Sequence, residues 1–420
     1  MRRYIQFIIA IVALLVQDGL IAQEWSTLHL SEARKELCAC AHGDKIYFAG
    51  GQRAILYDIV DILDTRDNTW TTAHLSAGKT NMRCEVIGDK IYFTGSASFP
   101  DGLIMDIYDV STNVWSTTRG PNVAGGEMTS NGQYILRAKF DELDVYDTTS
   151  DTWTTYVLSP KREDVGMVSI GDKVYIAGGN FFGDDFDEVS IFDVSTKTWS
   201  EDFLTEEREG LTGLRYHKTA YFGIHNFDDD IDRNPRIHIY DSEVDHWSID
   251  SFPTQNRMRI SSYQYHGKLY YAGGQIIRLD DQLIDSIDIF DIPTESWSTI
   301  NMPTGRINST IIGHGNKLYI AGGTAEDDTV FNGDFYTTDV IEVLKLADVL
   351  ICTDENYSAA DIVLDDIHVN AEEEITLSGV QIGTNANVLF NAGVRITFAP
   401  SFDMIPGSTL FADIETCVHE

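Results

Sequence analysis

Seven tryptophans mark time along this chain: Trp25, Trp70, Trp115, Trp153, Trp199, Trp247 and Trp297, spaced 45, 45, 38, 46, 48 and 50 residues apart, with no other Trp anywhere. One large aromatic per 40 to 50 residues, held in phase seven times, is the mark of an array of repeated units. Each unit is a piece of structure that cannot bury its own face and hides it against the next.

Two further motifs keep the same phase. An Asp stands six residues before six of the Trp residues: Asp64, Asp109, Asp147, Asp193, Asp241 and Asp291. The segments LDTRDNTW, YDVSTNVW, YDTTSDTW, FDVSTKTW, YDSEVDHW and FDIPTESW spell strand, tight turn, strand. Upstream lies GDKIYFAGG (43–51), recurring as GDKIYFTGS, GDKVYIAGG, HGKLYYAGG and GNKLYIAGG, with Tyr47, Tyr92, Tyr175, Tyr270 and Tyr319, and with weaker copies read at Tyr134 and Tyr221. The apolar run predicts a buried strand, and the Gly pair a backbone turn where a side chain would clash.

A Gly-Gly pair, then Tyr-Asp, then Trp at fixed spacing resembles the kelch repeat, and the resemblance covers roughly residues 24–346. It implies an all-β fold, a seven-bladed kelch β-propeller. Helix signals are nearly absent after residue 22, and Tyr, Thr, Ile and Val abound, as strands prefer. The last Gly pair, Gly322-Gly323, is followed by a strand at about 337–346 but by no Trp, while Trp25 precedes the first pair. The N-terminal strand is therefore expected to serve as the outer strand of the seventh blade, closing the ring and removing its free edges.

The ends of the chain differ from this core. Residues 1–22 (MRR, then YIQFIIAIVALLV, then small residues to Ala22) read as a secretory signal peptide and not a membrane anchor, which predicts a secreted or cell-surface protein. Residues 348–420 carry short apolar strands between Asn, Gly and Pro turns, the texture of a small β-roll with one strand per rung. The stretch NANVLFNAGVRITFAPSFDMIPGSTLFADI resembles the C-terminal three-coathanger stack of secreted bacterial proteins; Ser401 departs from it, a Gly being usual there. Cys352 and Cys417 bracket this tail and are expected to form a disulfide. Cys38, Cys40 and Cys84 fall on the inner strands of the first two blades, as buried core residues or as one bridge with a thiol left over.

The net charge of −36 excludes nucleic acid and anionic lipid as partners. The loops after the Gly pairs turn acidic at 181–189, 225–234, 276–285 and 325–335, and their shared place in the repeat puts them on one face. Asp228, Asp230, Asp232 and Asn234 alternate like the first ligands of a calcium loop, but Arg233 stands where that loop needs Gly and Ile239 where it needs Glu. A basic residue precedes each inner strand except the third: Arg34, Lys79, Arg162, Arg208, Arg257 and Arg306. Two readings stand: scaffold pairs between blades, or an anion-binding ring at the channel mouth for a uronic or sialic acid.

Kelch propellers that resemble galactose oxidase need Tyr and His ligands for copper; Tyr216-His217 and Tyr265-His266 fall instead at hairpin turns. Those that resemble sialic-acid mutarotases work through Arg, His and Glu without metal, which keeps the Arg ring in view. No GxSxG, HExxH, P-loop or dinucleotide glycine run is present. The expectation is a non-catalytic binding or adhesion protein with a protein or carbohydrate ligand and no cofactor unless calcium; the alternative is a sugar-acting enzyme on the same ring.

Overall fold

The computed structural model describes residues 24–346 outside the segments 98–103, 121–124, 224–234, 255–256, 277–281 and 327–334, together with the backbone of the strands between 351 and 413. All regular structure among these residues is β-strand.

The first repeat forms one antiparallel sheet in chain order, Cys38–His42, Lys45–Ala49, Ile59–Asp64 and Thr69–His74. Alternation sorts its side chains onto two faces. Ile46, Phe48 and Leu63 pack on one face against Ile312, Tyr319 and Val343 of the last repeat. Cys38, Cys40, Tyr47 and Val60 pack on the other against Ile91, Phe93 and Tyr108 of the second. Both faces are covered, which is why the second strand reads as unbroken apolar sequence. Each such side chain, fully enclosed, contributes about 2 kcal/mol.

Seven such sheets follow one another among the described residues, six four-stranded and the third three-stranded. Their first strands run Cys38–His42, Lys79–Ile87, Glu127–Ser130, Gly166–Ile170, Thr212–Tyr216, Ser261–Tyr265 and Thr310–His314. Each lies beside the next, and the seventh returns to the first. The seventh sheet takes its outer strand from the N-terminus: Glu24–His29 pairs antiparallel with Val340–Lys345, with Trp25 opposite Leu344.

The third sheet departs from the repeat. Its first hairpin turns at Gly132 and Gln133, with the Asn131 N–H on the Tyr134 carbonyl at 3.2 Å, and Ser130 pairs with Ile135 as Ala41 does with Ile46, so Leu136 and not Tyr134 holds the place of Tyr47. It also lacks the Gly pair: the single strand Tyr134–Asp147 turns the corner itself, with Phe140 in the left-handed region at φ 57°.

In the tail, strands pair in parallel with strands 18 to 22 residues further on, as in Ile351↔Val369, Val369↔Phe390 and Phe390↔Ala412. They form three sheets of four, three and three strands. Each turn of the chain thus carries three short strands, not the one per rung expected from sequence; all of them are only two to six residues long.

Candidate functional site

The Gly pair and the basic residue form one joint between neighbouring sheets. The second Gly donates its N–H to the carbonyl of the basic residue of the next sheet: Gly51 to Lys79 (2.7 Å), Gly179 to Arg208 (2.7 Å), Gly274 to Arg306 (2.9 Å) and, from last sheet to first, Gly323 to Arg34 (3.0 Å). Such an approach leaves no room for a Cβ: at Gly178 and Gly322 a methyl would meet the carbonyls of Arg208 and Arg34.

The side chains of these basic residues turn inward. Arg34, Lys79, Arg162, Arg208, Arg257 and Arg306 are between 0 and 6% exposed. Arg34 donates to the Gly50 carbonyl at 2.8 Å and pairs with Asp61 at 2.9 Å. Lys79 bonds Asp106 and the Ile104 carbonyl. Arg257 pairs with Asp288 at 2.9 Å and Arg306 with Glu342 at 2.7 Å. Arg208 bonds Glu206 at 2.5 Å. The third sheet supplies its cation from elsewhere: Arg137, at the second-strand place of Phe48, pairs with Asp144 at 2.6 Å. Among the described residues no carboxylate pairs with Arg162, which donates to the Ile176 carbonyl and Ser190 Oγ, both at 2.9 Å. Burial pushes its guanidinium down to about 10.

None of the six lies at an open channel mouth, where the ligand reading had put them. At 0–6% exposure these cations are enclosed and turned to carbonyls, carboxylates and Ser190 of the scaffold, out of reach of a ligand in solvent. Their partners were legible but unread: Asp61, Asp106, Asp144 and Asp288 each stand three residues before the turn Asp. Ser190 and His238 hold that place in the fourth and fifth sheets; burial, with Arg208 beside it, pushes His238 down to about 4, so it stays neutral.

A second ring stands two residues beyond each basic residue, at the joints between sheets. Glu36, Asn81, Asp164, Gly210, Arg259 and Asn308 all have φ between 48° and 60°. They are linked around the ring: Gly210 donates to the Asp164 carbonyl (2.7 Å), Glu36 to that of Asn308 (2.9 Å), and Met82 to that of Glu36 (3.0 Å). Left-handed backbone held outside glycine is a cost that clusters at functional surfaces. Asn or Asp at three of the places, Asn81, Asp164 and Asn308, is the signal that the sequence carries.

On this face, between the second, third and fourth sheets, lies a cleft of about 290 Å³ lined by Asn81, Arg83, Glu127, Lys139, Glu163 and Asp164 among others. Arg83 Nε donates to Glu127 at 3.1 Å. Burial, then Glu163 and Glu127, raise the Asp164 carboxyl; burial, then Arg137, lower the Lys139 ammonium. Lys139, on the wall of the cleft, sits over the ring of Phe140 at 5.2 Å. Lys161 sits over the rings of Phe140 (5.3 Å) and Phe181 (5.4 Å), and Phe182 is 92% exposed.

Inside the channel Ser130 donates to Glu85 at 3.0 Å, and burial pushes the Glu85 carboxyl up to about 7. Tyr216 and Tyr265 end their strands and His217 and His266 form the turns, as read from sequence. Asp228, Asp230, Asp232 and Asn234, Cys417 and the side chain of Cys352, and residues 1–22 lie outside the described residues. Among the described residues no group of His, Cys, Asp and Glu is placed to hold a metal ion, and no helix is long and apolar enough to cross a membrane.

No curated protein matches the chain. The family model of the kelch motif matches residues 33–73 and 161–201, which span the first and fourth sheets. Kelch motifs on an all-β chain of repeated antiparallel sheets support a kelch-repeat β-propeller as the fold.

Proposed function

We propose that this protein is a secreted or cell-surface binding protein without catalysis: a seven-bladed kelch propeller with a C-terminal β-roll, holding a protein or carbohydrate on the face that carries the Gly-Gly loops. The closed cycle of first strands and the shared outer strand of the last sheet support the seven blades. One observation carries the rest: the repeated cations are enclosed, while the wall of the cleft at 81–165 adjoins, through Lys139, the ring of Phe140. Rings flanking a polar cleft offer stacking area beside fixed donors and acceptors. The acidic segment 225–234, with Asp228, Asp230, Asp232 and Asn234, lies outside the described residues; its place in the repeat is the reason to expect it on the same face, and it is where calcium would enter.

The test is a glycan array, with a cell-surface binding assay for a protein ligand, each run with and without calcium. The variants are Phe182→Ala with Lys161→Ala, and Arg162→Ala. The aromatic-rim variant should lose binding at least tenfold at unchanged melting temperature. Arg162→Ala should lose stability first, by about 1–3 kcal/mol. The opposite result, Arg162→Ala melting like the parent yet losing the ligand, moves the site to the channel and favours the sugar-acting alternative.

A further inference from the structure

Three thiols meet at the joint between the first and second sheets. Cys38 and Cys40 are two residues apart on the inner strand Cys38–His42, so both face the same way. Cys84, on the inner strand Lys79–Ile87, packs against that face in one apolar cluster. Its thiol lies within hydrogen-bonding reach of both the Cys38 and the Cys40 thiols. All three are free, and Cys38 and Cys40 are 6% exposed.

We infer that this trio is a covalent cross-link site, in which Cys84 joins either Cys38 or Cys40 in a disulfide that ties the first two sheets together across the channel wall. The chemistry needs an oxidant, a small disulfide such as oxidised glutathione. The Cys84 thiol loses its proton and attacks one sulfur of that disulfide, releasing a thiolate. The Cys40 or Cys38 thiolate then attacks Cys84 Sγ and releases the second thiolate. Two protein thiols are oxidised and one external disulfide is reduced to two thiols. The unpaired third thiol stays beside the new bond and can attack it, so the bridge can pass from Cys38 to Cys40 while Cys84 stays oxidised.

Burial is the largest cause holding all three thiols above the usual range, which keeps thiolate scarce in the folded ring. The bridge therefore forms mainly before the first two sheets close on each other, and is then protected from reductants. A soft metal is the other use of three thiols, but among the described residues none are placed to hold one.

The full chain, unfolded and refolded in oxidised glutathione, is alkylated, digested with trypsin without reduction and analysed by mass spectrometry. The expected product is a linked pair of the peptides Glu36–Lys45 and Cys84–Lys90, with free Cys84 down at least tenfold. Cys38→Ser and Cys40→Ser should each keep the link, because the other thiol takes over. The double variant, and separately Cys84→Ala, should abolish it, with circular dichroism confirming the sheet fold. A native chain treated the same way should link at least tenfold more slowly. Free thiols at all three positions after refolding overturn the inference, as does a bond between Cys38 and Cys40 or a link lost in either single serine variant.

Discussion

Charge inside this protein is placed residue by residue. A lone buried cation costs several kcal/mol, so each guanidinium brings its acceptors with it. Arg257 holds Asp288, Ser286 and the Tyr271 carbonyl at once. The Arg series was plain in the sequence, but its meaning was not, because exposure cannot be read from spacing; the Asp three places before each turn Asp was the missing half. Glu85 is the opposite case, a carboxyl in the channel wall with a hydroxyl for partner. Its folded value of about 7 lies above the ordinary 4.5, so the folded state holds the proton more tightly. That contribution is complete below the ordinary value and is lost as pH rises through about 7. Glu85→Gln should therefore be more stable than the parent by about 1–2 kcal/mol at about pH 8 and equal to it near pH 4, channel water reducing the full effect. Urea midpoints across that range decide it; a pH-independent difference between the two proteins sinks the assignment.

At the scale of the element, each strand pair is closed by chemistry visible in the sequence. Asp147 and Asp193 accept the N–H groups of Thr149 and Ser195, both at 2.9 Å, which nucleates the turn. Asn113, Asp151 and Asp245 take the left-handed place two before the Trp and are held by the hydroxyls of Tyr108, Tyr146 and Tyr240. The Trp reaches backward: Trp247 and Trp297 donate to Asp202 (2.7 Å) and Asp250 (3.0 Å) on the outer strand of the preceding sheet. Trp25 holds the same place on the strand Glu24–His29, packed in the cluster of the last two sheets. Trp25→Ala should therefore cost about as much as Trp297→Ala, about 3 kcal/mol each, although one lies at a chain end. Equilibrium unfolding of the two variants tests this. A cost under about 0.5 kcal/mol for Trp25→Ala means that the N-terminal strand does not carry the ring closure.

At the scale of the whole molecule, closure and the tail are separate matters. The tail holds 13 acidic residues and one basic residue, Arg395, so its solubility rests on charge and its stability on its parallel pairing. Cys352 lies on one edge strand of the four-stranded sheet and Asp413 on the other. Three strand spacings separate those edges by about 14 Å. A disulfide needs Cα atoms closer than about 7 Å. The predicted Cys352–Cys417 bridge thus requires the three residues between Asp413 and Cys417 to span that distance, and it would then add roughly 4 kcal/mol. Non-reducing peptide mapping should find the pair; free thiols at both positions refute it.

By itself the sequence determined the period, the strand and turn chemistry, the all-β class and the assignment of Trp25 to the last sheet, because these depend on residue type at short and regular spacing. Only the tertiary structure decided where the cations point, that Arg137 replaces the missing one, that Leu136 stands in for a Tyr, and that an irregular cleft opens at residues 81–165. Those depend on which groups come within a few ångströms in space, and an Arg in place of a Phe on a second strand, or a carboxylate brought in from the third strand, leaves no mark in the period that announces the ring.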